Sequence, residues 1–139
     1  MCKMGNVRTF KVKTLVPGKA TGPALITRER LAFQGFTDAK KGIFHSPQTE
    51  LQGKSFKGVV LIYTSGKGSS VGPSALDLAC RYGNCPAAMV NLEIDPFTVQ
   101  GCVMQKIPLV QIEDASIFYL AKNGDTVTVD ADKGEIIVS

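Results

Sequence analysis

Hydrophobic positions change their period along this chain, and each change marks an element. Phe10-Lys11-Val12-Lys13 alternates apolar and polar residues, the period of a strand with one buried face, and Pro17-Gly18 ends it. A second short strand, Ala24-Leu25-Ile26-Thr27, follows Gly22-Pro23. From Gln34 to Gly58 the hydrophobes are scattered among Gly, Lys, Gln, Thr and Ser, which reads as a long irregular excursion of the kind used for lids or partner contacts. Val59-Val60-Leu61-Ile62-Tyr63 is an unbroken apolar run of strand length, suited to a central strand covered on both faces.

Beyond it the period lengthens. Ala75, Leu76, Leu78, Ala79 and Tyr82 recur at helical spacing, Pro73 suits a first helical turn, and Gly83-Asn84 stops the pattern. Ala87 to Val90 returns to strand, completing a strand–helix–strand unit with its turn at the carboxyl end of the first strand. Asp95-Pro96 opens a second helix through Val99 to Met104, and Ile107 to Val110 is another short strand. Ser116 to Lys122 is a further helical stretch closed by Asn123-Gly124, and Thr126 to Val138 reads as a hairpin about Asp132-Lys133-Gly134. The pattern predicts one compact α/β domain over residues 1–139 with a β-rich rim.

Composition narrows the function. With 44% hydrophobic and 20% charged residues and no tryptophan, the chain is typical of a globular protein, and no apolar run reaches the length of a membrane span. The basic N-terminal stretch MCKMGNVRTFKVK lacks the apolar segment of a signal peptide, so a cytoplasmic location is expected. The formal net charge of +4 is spread along the chain, which argues against nucleic-acid binding. Cys2, Cys80, Cys85 and Cys102 include no C-x2-C pair, and His45 is the single histidine, so no metal site is expected. Cys80 and Cys102 fall in apolar stretches, where small buried thiols are the ordinary outcome.

The candidate chemistry lies in Ser65-Gly66-Lys67-Gly68-Ser69-Ser70, between the central strand and the helix. Without a Cβ, Gly66 and Gly68 can take positive φ and approach a ligand closely, and the free N–H groups at the helix start favour a carboxylate or phosphate. Ser65, Ser69 and Ser70 add hydroxyl donors, or a helix cap. A nucleotide phosphate loop is excluded because no G-x4-G-K-[ST] occurs, and G-x-G-x-x-G fails at Val71. A Ser-His-Asp hydrolase is poorly supported, with G-x-S-x-G absent and one histidine available.

In order and spacing, several segments resemble the small swivel-domain subunits of the aconitase X type. They are Gly22-Pro23-Ala24-Leu25-Ile26, Leu31-Ala32-Phe33-Gln34-Gly35, Leu51 to Leu61, Ser65 to Gly72, Ala87-Ala88-Met89-Val90 and Ile107-Pro108-Leu109-Val110, together nearly the whole chain. The resemblance implies a swivelling β/β/α domain of the aconitase C-terminal type. It also implies a heterodimer with a large subunit that carries an iron–sulfur cluster, no cofactor on this chain alone, and dehydration as the reaction. Ser69 matches the family's base, with Ser65, Gly66, Lys67, Gly68 and Ser70 as substrate-binding neighbours. A serine hydroxyl is too weak an acid for this role in water, so N–H groups and cations of the turn have to stabilise its anion.

The family's substrates are mevalonate 5-phosphate, dehydrated to trans-anhydromevalonate 5-phosphate, and cis-3-hydroxy-L-proline. Ser69-Ser70-Val71-Gly72, a Ser-x-Val-Gly, resembles the first group, and Lys67 with Lys40, Lys41, Lys54 and Lys57 offers cations for a phosphate. Ser46 to Gly53 departs from the family's usual His-Pro-Leu-Tyr-Gly stretch, and Val71 replaces the arginine of true aconitases, so the substrate stays open at this point. Two other classes also remain. The Gly124 to Asp130 and Gly134 to Val138 segments resemble the closing hairpin of phosphohistidine swivel carriers, although Pro73 or Ser74 stands where the carrier histidine belongs. A non-catalytic interaction domain is the other.

Overall fold

A computed structural model of the chain describes residues 7–139. The elements, in chain order, are β1 (Arg8–Val16), β2 (Lys19–Ile26), β3 (Arg30–Leu31), β4 (Thr37–Asp38), β5 (Ile43–Phe44), β6 (Val60–Tyr63), β7 (Ser65–Gly66), α1 (Gly72–Arg81), β8 (Ala88–Asn91), α2 (Pro96–Gln105), β9 (Leu109–Ile112), α3 (Ile117–Leu120), β10 (Thr126–Asp130) and β11 (Glu135–Val138). Cys2 lies outside the described residues.

Seven strands close into a barrel in the order β1-β11-β10-β2-β6-β8-β9. The expected β-rich rim is thus half of a closed barrel. Closure depends on two strands that change partners in mid-course. β1 pairs with β11 through Arg8–Lys11 and with β9 from Val12 onward. β2 runs antiparallel to β10 from Lys19 to Pro23, then parallel to β6 from Ala24 to Ile26. The second strand therefore runs through Gly22-Pro23, where the sequence pattern places a break. The reason is steric: a Cβ at residue 22 would lie 2.3 Å from the Gly58 carbonyl oxygen, so glycine lets that backbone pass.

β6 is the central strand of the parallel half, between β2 and β8, and all four of its residues are buried. Its unbroken apolar run is explained by two cores. Val60 and Ile62 join Val90, Val110, Val127, Val129 and Ile136 in one cluster. Leu61 and Tyr63, alternating with them, join Met89, Leu109, Leu76 and Ala79 in the other, where the helices pack. On α1 the buried residues are Pro73, Leu76 and Ala79, whereas Leu78 and Tyr82 of the predicted apolar stripe are exposed.

The excursion from 34 to 58 is more ordered than its composition suggests. β4 and β5 pair antiparallel within it. Phe33, Phe44 and Phe56 pack at ring-centroid separations of 5.4 to 6.1 Å, two of the three pairs edge to face, so hydrophobes scattered in sequence converge in space. The Asn84 side-chain amide donates to the carbonyls of Ala39 and Lys40, tying the excursion to the end of α1.

That same chain reversal corrects the expectation for Cys80. Gly83, at φ +81°, turns the chain so that Cys85 returns to within 4.4 Å of Cys80, Cα to Cα, and the two form a disulfide. Cys102 is the buried thiol that the pattern predicts. No helix among the described residues is long and apolar enough to cross a membrane.

Candidate functional site

The parallel pairing of β6 with β8 brings the starts of α1 and α2 to one rim of the barrel, because each helix follows the carboxyl end of its strand. Between β6 and α1 the chain makes a two-residue parallel pairing, Arg30 with Ser65 and Leu31 with Gly66, before the turn. Lys67 N–H then donates to the Leu31 carbonyl at 3.2 Å. The turn is thereby pinned to the strand that leads into the excursion.

The two turn glycines do different things, and this revises the expectation that both take positive φ. Gly68 does, at φ +76°, with open space where a Cβ would be. Gly66 does not; a Cβ there would lie 2.1 Å from Asp95 Oδ2 and 2.4 Å from Thr98 Oγ1. Its role is close packing against the start of α2. Asp95 is the N-cap of that helix: its carboxylate accepts from Phe97 N–H at 3.3 Å and from the Thr98 hydroxyl at 2.7 Å.

The three serines also divide. Ser65 is buried and its hydroxyl donates to the Glu93 carbonyl at 2.9 Å, so that hydroxyl holds the β8–α2 loop and is not free for a ligand. Ser70 is exposed. Ser69 is half-buried between them, and its oxygen accepts from the Val71 N–H at 3.3 Å, directly before the first turn of α1. An oxygen placed there faces the positive end of a ten-residue helix.

Ser69, Lys67 and Gly72 border a small recess. Its lining includes the buried side chains of Leu31, Tyr63, Leu76 and Met89 and the half-buried Ala32 and Phe97. A second, more open recess on the other side of the turn includes Arg30, Lys67, Gly68, Ile94 and Asp95. Arg30 is paired with Glu93, and the Lys67 ammonium sits 5.0 Å from the centre of the Phe36 ring, a cation–π contact. Of the lysines considered for a phosphate, Lys40, Lys41, Lys54 and Lys57 are exposed and line neither recess; Lys67 lines both. Arg30, Asp95 and Thr98 were absent from the sequence-based set because the packing of β3 and α2 on the turn, not sequence proximity, brings them there. The Asp95-Pro96 helix start was the available signal.

Beneath the recess, Tyr63 donates its hydroxyl to the Met89 sulfur at 3.3 Å, and Cys102 lies 3.6 Å from the same sulfur. Burial drives the Tyr63 phenol well above its usual range and pushes the Cys102 thiol up to about 12. Both groups stay protonated at neutral pH and act as core residues. Among the described residues no three His, Cys, Asp or Glu side chains converge on a point that could hold a metal. Among the described residues, Cys80 and Cys85 are bonded to each other and Cys102 is buried against Met89, so these three cysteines do not fit an iron–sulfur cluster. His45 is exposed in the excursion and borders neither recess, and the first turn of α1 carries Pro73 and Ser74 with no histidine.

Known proteins share this arrangement. The chain is 43% identical over 121 residues to the protein named phosphomevalonate dehydratase small subunit of Methanothrix thermoacetophila, covering 87% of each chain. It is 38% identical over 127 residues to the protein of that name from Methanosarcina mazei, covering 91% of this chain and 88% of the relative. Among solved structures, the crystal structure of Thermococcus kodakaraensis aconitase X in its holo-form superimposes with a TM-score of 0.87 at 30% identity, covering 95% of this chain and 98% of that one. The sequence profile of the aconitase X swivel domain matches residues 9–138. With relatives this similar along almost its whole length and a barrel that superimposes on theirs, the chain belongs to the aconitase X swivel domain family.

Proposed function

We propose that this chain is the small subunit of a hydro-lyase that dehydrates mevalonate 5-phosphate to trans-anhydromevalonate 5-phosphate, with Ser69 as the proton acceptor. The substrate follows the names carried by the relatives, which favour the phosphate over cis-3-hydroxy-L-proline. The observation that carries the role of Ser69 is its position: a half-buried hydroxyl at the start of α1, accepting from Val71 N–H and bordering an apolar recess. An N–H donor and a helix N-terminus both favour the anionic oxygen over the neutral one, which is the shift a serine base needs. At the start of α1 the Val71 and Gly72 N–H groups are bonded to Ser69 and Pro73 has none, so the Lys67 ammonium, with Ser70 as an exposed hydroxyl donor, is the group of this chain best suited to the substrate's anionic ends. The iron–sulfur cluster implied for the family belongs, in this reading, to the large subunit, and with it the chemistry at the leaving hydroxyl.

In a complex reconstituted with the large subunit, Ser69→Ala lowers kcat by at least about a hundredfold, the lower range for removal of a positioned proton-transfer group. Folding and association stay unchanged. Ser70→Ala affects chiefly KM, and Ser65→Ala chiefly stability, since its hydroxyl serves Glu93. Near-normal kcat in Ser69→Ala, beside an inactive Ser70→Ala, moves the role along the turn; full activity in both makes the turn a structural cap.

A further inference from the structure

Taking the dehydratase reading as its basis, we propose that the recess bordered by Ser69 is the subsite for the alkyl branch on the carbon that loses its hydroxyl. It makes this chain the determinant of specificity for a methyl-bearing tertiary alcohol.

Mevalonate 5-phosphate offers a protein four kinds of group: a carboxylate, a phosphate, a tertiary hydroxyl and the methyl on the same carbon as that hydroxyl. In dehydration the C2–H bond breaks, its electron pair becomes the second bond between C2 and C3, and the C3–O bond breaks. The proton passes to the serine oxygen, and proton and hydroxide together account for the one water released. The C3 methyl is two bonds from C2. With a base oxygen within about 3 Å of C2 and C–C bonds of about 1.5 Å, the methyl carbon lies within roughly 6 Å of the Ser69 oxygen. The carboxylate, the hydroxyl oxygen and C4 come equally within reach of Ser69, so the character of the surface that adjoins it decides which group that surface receives.

That surface is mostly apolar, with Gln34, Lys67, Asp95 and Thr98 as polar members of its lining. Pro73 and Leu76 follow Ser69 on the first turns of α1, and Leu31 and Met89 complete a floor whose side chains are almost wholly buried. Neither anionic end of the substrate suits its floor, because Leu31, Leu76 and Met89 offer no donor there and the Asp95 carboxylate in the same lining is a like charge. The anionic ends belong at the rim, by Lys67 and Ser70. Lys67, the cation that lines the recess, holds its ammonium over Phe36. The leaving hydroxyl has to face the chemistry outside this chain. Of the two apolar groups on C3, the C4 methylene leads on to the phosphate at the rim, which leaves the methyl for the recess, and burying it is favourable. Ala32 and Phe97, half-buried in the same lining, set how large a branch can enter.

The experiment uses the reconstituted complex and three substrates: mevalonate 5-phosphate, its analogue with hydrogen in place of the C3 methyl, and its C3-ethyl homologue. The wild-type complex is expected to prefer methyl to hydrogen by about 10- to 200-fold in kcat/KM, the range for one such group in an apolar pocket. Phe97→Ala, which widens the recess, is expected to improve the ethyl-to-methyl ratio at least about tenfold, and Ala32→Leu, which narrows it, to erode the preference for methyl over hydrogen. Association with the large subunit is measured for both variants. Equal turnover of the methyl and hydrogen substrates by wild type overturns the proposal and leaves the dehydratase reading standing. Unchanged ratios in both variants with weakened association overturn it in favour of a recess that seats a large-subunit side chain. No turnover of any of the three by the wild-type complex removes mevalonate 5-phosphate as the substrate, and the proposal with it; turnover of cis-3-hydroxy-L-proline by that complex shows that the dehydratase reading survives.

Discussion

A serine that accepts a proton must first become cheaper to ionise, and a buried thiol nearby shows how strongly this interior resists the opposite change. Cys102 is held protonated by burial alone, up to about 12 against an ordinary 9.0. Its folded pKa is raised, so its contribution to stability is full below about 9 and is lost as pH rises toward about 12, because above the ordinary value the unfolded chain releases a proton that the folded chain keeps. Tyr63, raised mainly by burial, adds a loss in the same direction at higher pH. Urea denaturation from neutral pH upward therefore shows falling stability, with up to about 1.4 kcal/mol per pH unit from Cys102. Cys102→Ala is less stable at neutral pH by about 1 kcal/mol yet flatter above about 9. An unchanged slope would show that the thiol is not what titrates. Single residues of this kind are only partly legible in sequence. Cys102 as a buried thiol followed from its apolar neighbours, whereas Cys80, in a similar setting, required the reversal at Gly83 to meet Cys85.

Between elements, the tightest junction in the site is where β7 crosses the start of α2. Gly66→Ala would place a methyl group 2.1 Å from Asp95 Oδ2 and 2.4 Å from Thr98 Oγ1, both held in the N-cap of α2. Overpacking of this sort costs about 1–3 kcal/mol. Because the displaced groups adjoin the turn, activity of the complex is expected to fall further than the folded fraction does. Gly68→Ala is the comparison: its Cβ enters open space, and the cost is the strain of φ +76° alone, about 1 kcal/mol. Equal effects on thermal stability and kcat/KM in the two variants would show that contact with Asp95 does not position the turn. The helices and the strands they follow were legible because βαβ periodicity is local. The division of labour between the glycines was not, since it depends on a carboxylate some thirty residues away that parallel strand pairing delivers. The excursion was misjudged for a similar reason: Phe33, Phe44 and Phe56 show no period, and they form a core only after β4 and β5 pair.

For the whole molecule, closure of the barrel removes free edges and leaves a rigid rim on which the turn, α1 and α2 are mounted. The parallel half of that barrel was legible and its closure was not, because β1 and β2 change partners where nothing local announces it. In the proposed reading the rim presents half of a reaction: Ser69 as a base, Lys67 and Ser70 for an anion, and the recess beside them. Among the described residues no metal-binding cluster of His, Cys, Asp or Glu converges, and the cysteines are bonded together or buried, so in that reading the leaving hydroxyl is the large subunit's share. Dehydration is thus expected to require the large subunit absolutely. The chain alone, tested with mevalonate 5-phosphate under anaerobic conditions, shows no turnover and retains no iron. Titrated into the large subunit it restores activity in proportion, saturating at one chain per large subunit. Turnover or stably bound iron in the chain alone would refute this division, as would a large subunit whose activity ignores the addition. Ser69→Ala separates the two contributions, because it is expected to saturate at the same ratio and yet restore almost no activity, placing the loss in proton transfer and not in assembly.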